Sequence, residues 1–186
     1  MVFRDIIKMD TLKIIEQFYK RDSELYNILV SHSNDVMNKA LFIVSKHPEL
    51  NADVEFIKEA SMLHDIGIFL TNAPSIQCFG VAPYIAHGYL GREILDKMGY
   101  SRHGLVCERH TGTGLTLSQI ESQHLPLPHR DMSPQSIEEK IICFADCFYS
   151  KTHLGEEKSI EKMRKSIQKY GGESLRQFDI WCDEFL

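Results

Sequence analysis

Six side chains of metal-ligand type fall on the inward faces or at the ends of five successive segments with helical periodicity. His64 and Asp65 are adjacent, at the end of the third helical segment. His32 lies in register with Val36, Ala40 and Val44, on the core face of the second. His87 shares a face with Leu90, Ile94 and Leu95, and His110 ends a segment that carries His103 and Cys107. Asp146 follows Ala145, one turn after Ile142 and one before Tyr149. Imidazole and carboxylate together suit Fe, Mn, Zn, Co or Ni, and a carboxylate that bridges suits two ions. Taken singly, a His on an apolar face is ordinarily a satisfied core residue. Six potential ligands on five successive helices point instead to a metal site of the kind antiparallel bundles build from facing side chains.

The elements that must hold these groups read as helices almost throughout. Asp10 to Tyr19 carries apolar residues at Leu12, Ile15, Phe18 and Tyr19. Ser23 caps a long helix that Pro48 ends, and Asn51 or Asp53 opens a third that Gly67 stops. Thr71 to Val81 has the Asn-Ala-Pro and Phe-Gly punctuation of a loop. Tyr84 to Met98 and Arg102 to His110 are helical again, the second running into Thr111-Gly112-Thr113-Gly114. Pro126, Pro128 and Pro134 break residues 115–135 into an expected surface excursion. Ser136 with Glu139 predicts a capping box for the helix through Ile141, Ile142, Ala145 and Tyr149. Two further amphipathic helices follow, through Ile160, Met163 and Ile167 and through Leu175, Phe178, Trp181 and Phe185. Period-2 runs are few, so the predicted class is all-α. The expected organisation is one domain over residues 1–186, a five-helix core at 25–152 with extra terminal helices, those at 156–186 packed on the core.

The segments Ser31-His32, Leu63-His64-Asp65-Ile66-Gly67, Ala86-His87-Gly88 with Gly91, Arg109-His110-Thr111-Gly112, and Glu139-Lys140-Ile141 through Ala145-Asp146 resemble the HD-domain superfamily in order, H…HD…H…H…D. The resemblance covers roughly residues 25 to 152 and is nearest to small stand-alone members, such as the symmetrical diadenosine-tetraphosphate hydrolases and uncharacterised archaeal proteins. It implies an HD-domain helical bundle in which His32, His64, Asp65 and Asp146 hold one metal. His87 and His110 match positions that hold a second metal with Asp65 bridging; in a one-metal enzyme they would bind phosphate directly. It implies a metal-dependent phosphohydrolase that cleaves a phosphoester or phosphoanhydride, with a nucleotide or dinucleotide expected. A bound cation lowers the pKa of its water from about 15.7 toward ~7, which gives hydroxide for the attack at neutral pH. Asp65 is the expected catalytic residue, placed to orient or deprotonate that nucleophile. Two departures stand out: Ile68-Phe69 where many members carry Lys after the HD pair, and a single His110-Thr111 where the cyclic-dinucleotide branch doubles the His. Arg109, Thr111 and Lys151 are the candidate phosphate contacts, with solvated surface roles as the alternative for Arg109 and Lys151.

Composition narrows the rest. With 186 residues, 43% apolar and 25% charged, the chain is long enough and apolar enough to bury a core. A net charge of −5 argues against general nucleic-acid binding, which needs a basic face. Five Cys without a CxxC suggest thiols in a reducing cytoplasmic protein, and no apolar run suggests export or a membrane span. The expected cofactor is divalent metal, two ions, with Fe, Mn, Mg, Ni, Co and Zn undistinguished. The expected partner is a small phosphorylated molecule, with a homodimer left open. His47, His103, His124, His129 and His153 read as incidental. The alternatives are a mixed-valent di-iron oxygenase and a nucleotide sensor without turnover.

Overall fold

Capping explains where most helices begin. Asp10, Ser23, Asp53, Thr116, Ser136 and Ser159 each accept a hydrogen bond from a first-turn backbone N–H. The computed structural model describes residues 9–186; of Met1 to Asp10, where the sequence shows no apolar export segment, residues 1–8 lie outside them. Among the described residues the helices are α1 (Thr11–Ile15), α2 (Glu24–Lys46), α3 (Val54–Leu63), α4 (His87–Lys97), α5 (Ser101–Arg109), α6 (Leu117–Ser122), α7 (Ile137–Cys147), α8 (Ile160–Ile167) and α9 (Gly172–Phe185). One hairpin, β1 (Asn72–Ala73) against β2 (Cys78–Phe79), pairs Asn72 with Phe79. The fold is all-α, as the periodicity predicts. No helix among the described residues is long and apolar enough to cross a membrane.

The main core joins α2, α3 and α7 through Val36, Ala40, Ile57, Ala60, Ile141 and Phe144. α9 closes its outer side: Phe178, Trp181 and Phe185 all pack within 6.3 Å of the Phe144 ring. Truncating one of these aromatics to Ala costs on the order of 3–5 kcal/mol. A second cluster lies under α1 and the end of α3, built on Leu29, Leu63, Ile66 and Leu95.

Two glycines let the site helices meet. A Cβ at Gly67 would lie 2.3 Å from the His87 carbonyl oxygen, and one at Gly88 would lie 2.5 Å from that of Cys107. The turn after α3 therefore touches the start of α4, and α4 touches α5, backbone against backbone.

Four local expectations are corrected. α1 ends at Ile15, and Tyr19 leaves the helix to donate from its hydroxyl to the Ile66 carbonyl at 2.7 Å. Residues 71–81 hold the short hairpin. Residues 115–135 are more than a surface excursion: α6 is fixed by a full Thr116–Gln119 capping box, and Ile120, Leu127 and Met132 are buried. The Ser136–Glu139 box is half made. Ser136 Oγ accepts from Glu139 N, but the Glu139 carboxylate turns to Gln135 N and to Arg109.

Candidate metal centre

The six ligand-type residues converge. His32 projects from the middle of α2, Asp146 from the last turn of α7, and His64 and Asp65 from the end of α3. His32 Nε2 lies 2.9 Å from Asp146 Oδ1 and 3.2 Å from Asp65 Oδ2; His64 Nε2 lies 3.0 Å from Asp65 Oδ2. On the other side, Asp65 Oδ1 lies 3.5 Å from His87 Nε2 and 3.5 Å from His110 Nε2. Asp65 thus turns one carboxylate oxygen to each of two ligand groups, His32, His64 and Asp146 with Oδ2, and His87 and His110 with Oδ1. In each group the donor atoms lie within 4.8 Å of one another.

Backbone carbonyls set the imidazole orientation. Nδ1 of His64, His87 and His110 lies 2.6, 2.7 and 2.7 Å from the carbonyl of the residue three before it, Ser61, Tyr84 and Cys107. A carbonyl only accepts, so Nδ1 carries the proton and Nε2 is left with its lone pair facing the centre. Nε2 of His87 and His110 then face each other at 3.1 Å with no proton of their own to share. Two lone pairs so placed repel unless a cation or an added proton lies between. Among the described residues, His32 Nε2, His64 Nε2 and Asp65 Oδ1 are buried without a hydrogen-bond partner, and Asp65 Oδ2 has only the Lys151 ammonium, at 2.6 Å. Their contacts are close but aimed past one another, toward common points. Uncompensated buried polar atoms are costly, and a divalent ion at each point would satisfy all of them. The donor set fits divalent metal.

The electrostatics agree. Burial alone would raise Asp65, but Lys151 and His64 beside it hold its carboxyl well below the usual range. Burial would likewise raise Asp146, and His32 and His64 hold it down. Burial pushes His64 down, yet the two carboxylates outweigh it and lift His64 to about 10, so without a metal its Nε2 carries a proton, which a divalent ion would replace. The carboxylates thus demand positive charge where a metal would supply it. Burial lowers His87 to about 4, so it is neutral at physiological pH, the form that ligates.

Beside the centre opens a cavity of about 420 Å³. His87, His110 and Asp146 line its floor, and Thr111 and Lys151 its side. Lys151 Nζ lies 2.6 Å from Asp65 Oδ2, and the Asp65 carboxylate keeps it charged despite burial. Of the expected phosphate contacts, Arg109 is not brought to the cavity. Its guanidinium donates to Glu139 at 2.9 Å, because the residue before a helical ligand points about 100° away from it. Arg130, in the excursion, is spent on the buried Glu108. His103 pairs with Glu59 at 3.3 Å, away from the centre.

Among the cavity residues that escaped the sequence reading are Tyr84, Tyr149, Lys158 and Tyr170. Tyr84 stacks on His87, centroids 4.7 Å apart. Its spacing of three before a ligand His was the available signal. Tyr149 and Lys158 carried none beyond following Asp146. Lys158 Nζ donates to the Tyr149 carbonyl at 2.9 Å, closing the loop after α7.

An uncharacterised protein of Methanocaldococcus jannaschii is 33% identical over 176 residues, covering 90% of this chain and 96% of its own. A tRNA (cytidine(56)-2'-O)-methyltransferase of Picrophilus torridus is 28% identical over 92% of this chain, which spans 46% of that protein. The same enzyme of Thermoplasma volcanium is 30% identical over 73% of this chain and 35% of its own. This chain therefore spans less than half of the methyltransferases it matches. No solved structure matches. The HD domain family matches residues 29–150, which contain all six converging ligands. With that match laid over this geometry, the chain belongs to the HD domain family.

Proposed function

We propose that this protein is a metal-dependent phosphohydrolase that cleaves a phosphoester or phosphoanhydride of a nucleotide at a centre for two divalent ions. HD domain proteins are generally metal-dependent hydrolases of small phosphorylated substrates. The observation that carries the reading for this chain is Asp65, fully buried, with one oxygen toward each of two groups of imidazole Nε2 atoms.

His32, His64, Asp65 and Asp146 would hold one ion, and Asp65, His87 and His110 the other. Bound divalent metal supplies an acidified water and charge neutralisation at the phosphate. The chain's own residues do the rest. Asp65, the expected catalytic residue, offers one oxygen to each ligand group, and with its carboxyl held well below the usual range it is suited to orient an attacking water as a carboxylate. The Ser61, Tyr84 and Cys107 carbonyls keep three imidazoles from turning. Lys151 brings an ammonium to the edge of the cavity, where, released from Asp65 by a bound ion, it can donate a charge-assisted hydrogen bond to a phosphate oxygen. The Thr111 hydroxyl lies on the same wall. The tyrosines that line the cavity support an organic group with a planar ring. The methyltransferases named above share under half their length with this chain, and a net charge of −5 favours a small phosphorylated molecule over tRNA.

The test is phosphate release from a panel of nucleoside mono-, di- and triphosphates and dinucleoside polyphosphates, with Mn or Fe supplied and dioxygen uptake followed in parallel. Release that depends on added metal is expected. Nucleotide binding without release would favour the sensor reading, and metal-dependent dioxygen uptake without release the oxygenase; either would overturn the proposal.

A further inference from the structure

The cavity has two chemically distinct ends. One is the metal centre. The other is walled by α8 and the 3₁₀ turn after it, through Met163, Ser166, Ile167 and Tyr170. Those residues lie beyond position 150, where the family match stops. This wall of the pocket is therefore built by a segment the family pattern does not describe.

Along that wall the side chains divide by burial. Met163 and Ile167 are 4% and 2% exposed and spend themselves in the main core, so they anchor the helix. Tyr170 is different: it lines the cavity, is 52% exposed, and among the described residues has no hydrogen bond and no ring partner. The other two cavity tyrosines are committed. Tyr84 has one face on His87, and Tyr149 donates to Glu157 Oε2 at 3.1 Å. Ser166, one turn before Tyr170, adds an exposed hydroxyl to the same wall. An unengaged ring with a hydroxyl one turn away, in the same cavity as a phosphate-type centre, is the arrangement that binds a planar heterocycle by stacking and one polar contact.

We infer that Tyr170, supported by Ser166, is the specificity-determining subsite for a nucleobase, which makes α8 the element that sets substrate choice. The inference rests on the phosphohydrolase reading for its orientation, with the phosphate at the metal end. Its test is nevertheless a binding measurement. Affinities for AMP and for inorganic phosphate are measured by calorimetry on the Mn-loaded protein, for the wild type, Tyr170→Ala and Tyr170→Phe. The wild type is expected to bind AMP at least tenfold more tightly than phosphate. Tyr170→Ala should reduce that ratio by roughly 5- to 150-fold, the range for one base stacked on one aromatic ring, and Tyr170→Phe should keep it within about threefold. A wild-type ratio near one, a ratio that survives in Tyr170→Ala, or equal losses in Ala and Phe would each overturn the inference. If Tyr170→Ala fails to fold, photolabelling of the wild type with 8-azido-AMP decides: label on the peptide containing residues 163–170 supports the subsite, and label elsewhere refutes it. Phosphate release from no nucleotide at all would defeat the hydrolase reading, while the binding ratio would still decide this one.

Discussion

Replacing Lys151 by Ala should move two affinities in opposite directions. Its ammonium lies 2.6 Å from Asp65 Oδ2, with the lysine side chain 11% exposed and the aspartate fully buried. With substrate, that ammonium is a positive charge in the wall of the cavity, beside the centre. A hydrogen bond to a charged group is worth about 1.5–3 kcal/mol, which is roughly 10- to 150-fold at ~1.4 kcal/mol per factor of ten. KM for the best nucleotide should rise by that factor. kcat should fall less, because a contact made equally in the bound and transition states acts on binding. Metal responds the other way. Lys151 and a divalent ion share Asp65 Oδ2 as a partner, and the lysine must yield when the ion arrives. Its removal deletes a competitor and a like charge, so metal affinity should rise, by a comparable factor if the same contact is what the ion displaces. The metal-free variant should be less stable than the wild type, since one partner of a buried pair is gone, and added metal should restore most of the loss. Steady-state phosphate release gives KM and kcat, competition with a fluorescent chelator gives metal affinity, and melts with and without metal give stability. A lysine that only props the fold would weaken metal and substrate together. KM within twofold of wild type, or a parallel fall in metal affinity, would refute the assignment.

Asp65→Ala should abolish phosphate release while the metal-free fold persists; retention of more than about a tenth of the rate with metal supplied, a loss under ~1.4 kcal/mol, would sink the hydrolase reading. His87→Ala and His110→Ala should each lower bound Mn or Fe from two ions per chain to one by elemental analysis, and a wild type that saturates at one ion would end the dinuclear proposal. His103 offers a pH test away from the centre. Burial outweighs its Glu59 contact and lowers its pKa below the ordinary 6.5, so the unfolded chain takes up the proton first. Its contribution to stability is therefore full above about 6.5 and is lost as pH falls below it, by at most ~1.4 kcal/mol per pH unit. The melting-temperature advantage of wild type over His103→Gln should shrink between pH 7.5 and 5.5, and a constant or widening gap would contradict the assignment.

Where the sequence was legible, a local rule and a global demand coincided. His32 could be placed because Val36 and Ala40 share its face and are fully buried. α7 could be placed because Ser136 caps it and Ile141, Ile142 and Ala145 turn inward. α6 was missed although Thr116 and Gln119 spell a capping box, because three prolines nearby outweighed it and a six-residue helix has too few turns to show a period. Strands of two residues have no alternation to read. Arg109 was misplaced by treating adjacency in sequence as adjacency in space. Tyr84 and Tyr170 sit on 3₁₀ turns, where neither the 3.6 period nor the strand period assigns a face.

The ligand set was legible for a further reason that only the coordinates reveal. Each of His64, His87 and His110 stands at a helix end and bonds the carbonyl three residues earlier, so its orientation comes from its own turn of backbone. Such a turn is encoded locally and survives in a single sequence without a partner to compare. What the turn cannot set is distance, and the Gly67–His87 and Gly88–Cys107 backbone contacts set that. Orientation is thus written in the spacing within each motif, and separation in the glycines between motifs. The metal half of the pocket, held by both, follows the HD order closely enough to be read. The α8 half, held by neither, contributes Tyr170 from a turn bounded only by Gly171 with φ +110°. Substrate identity therefore has to be sought at that end by binding, since the ligand pattern is silent about it.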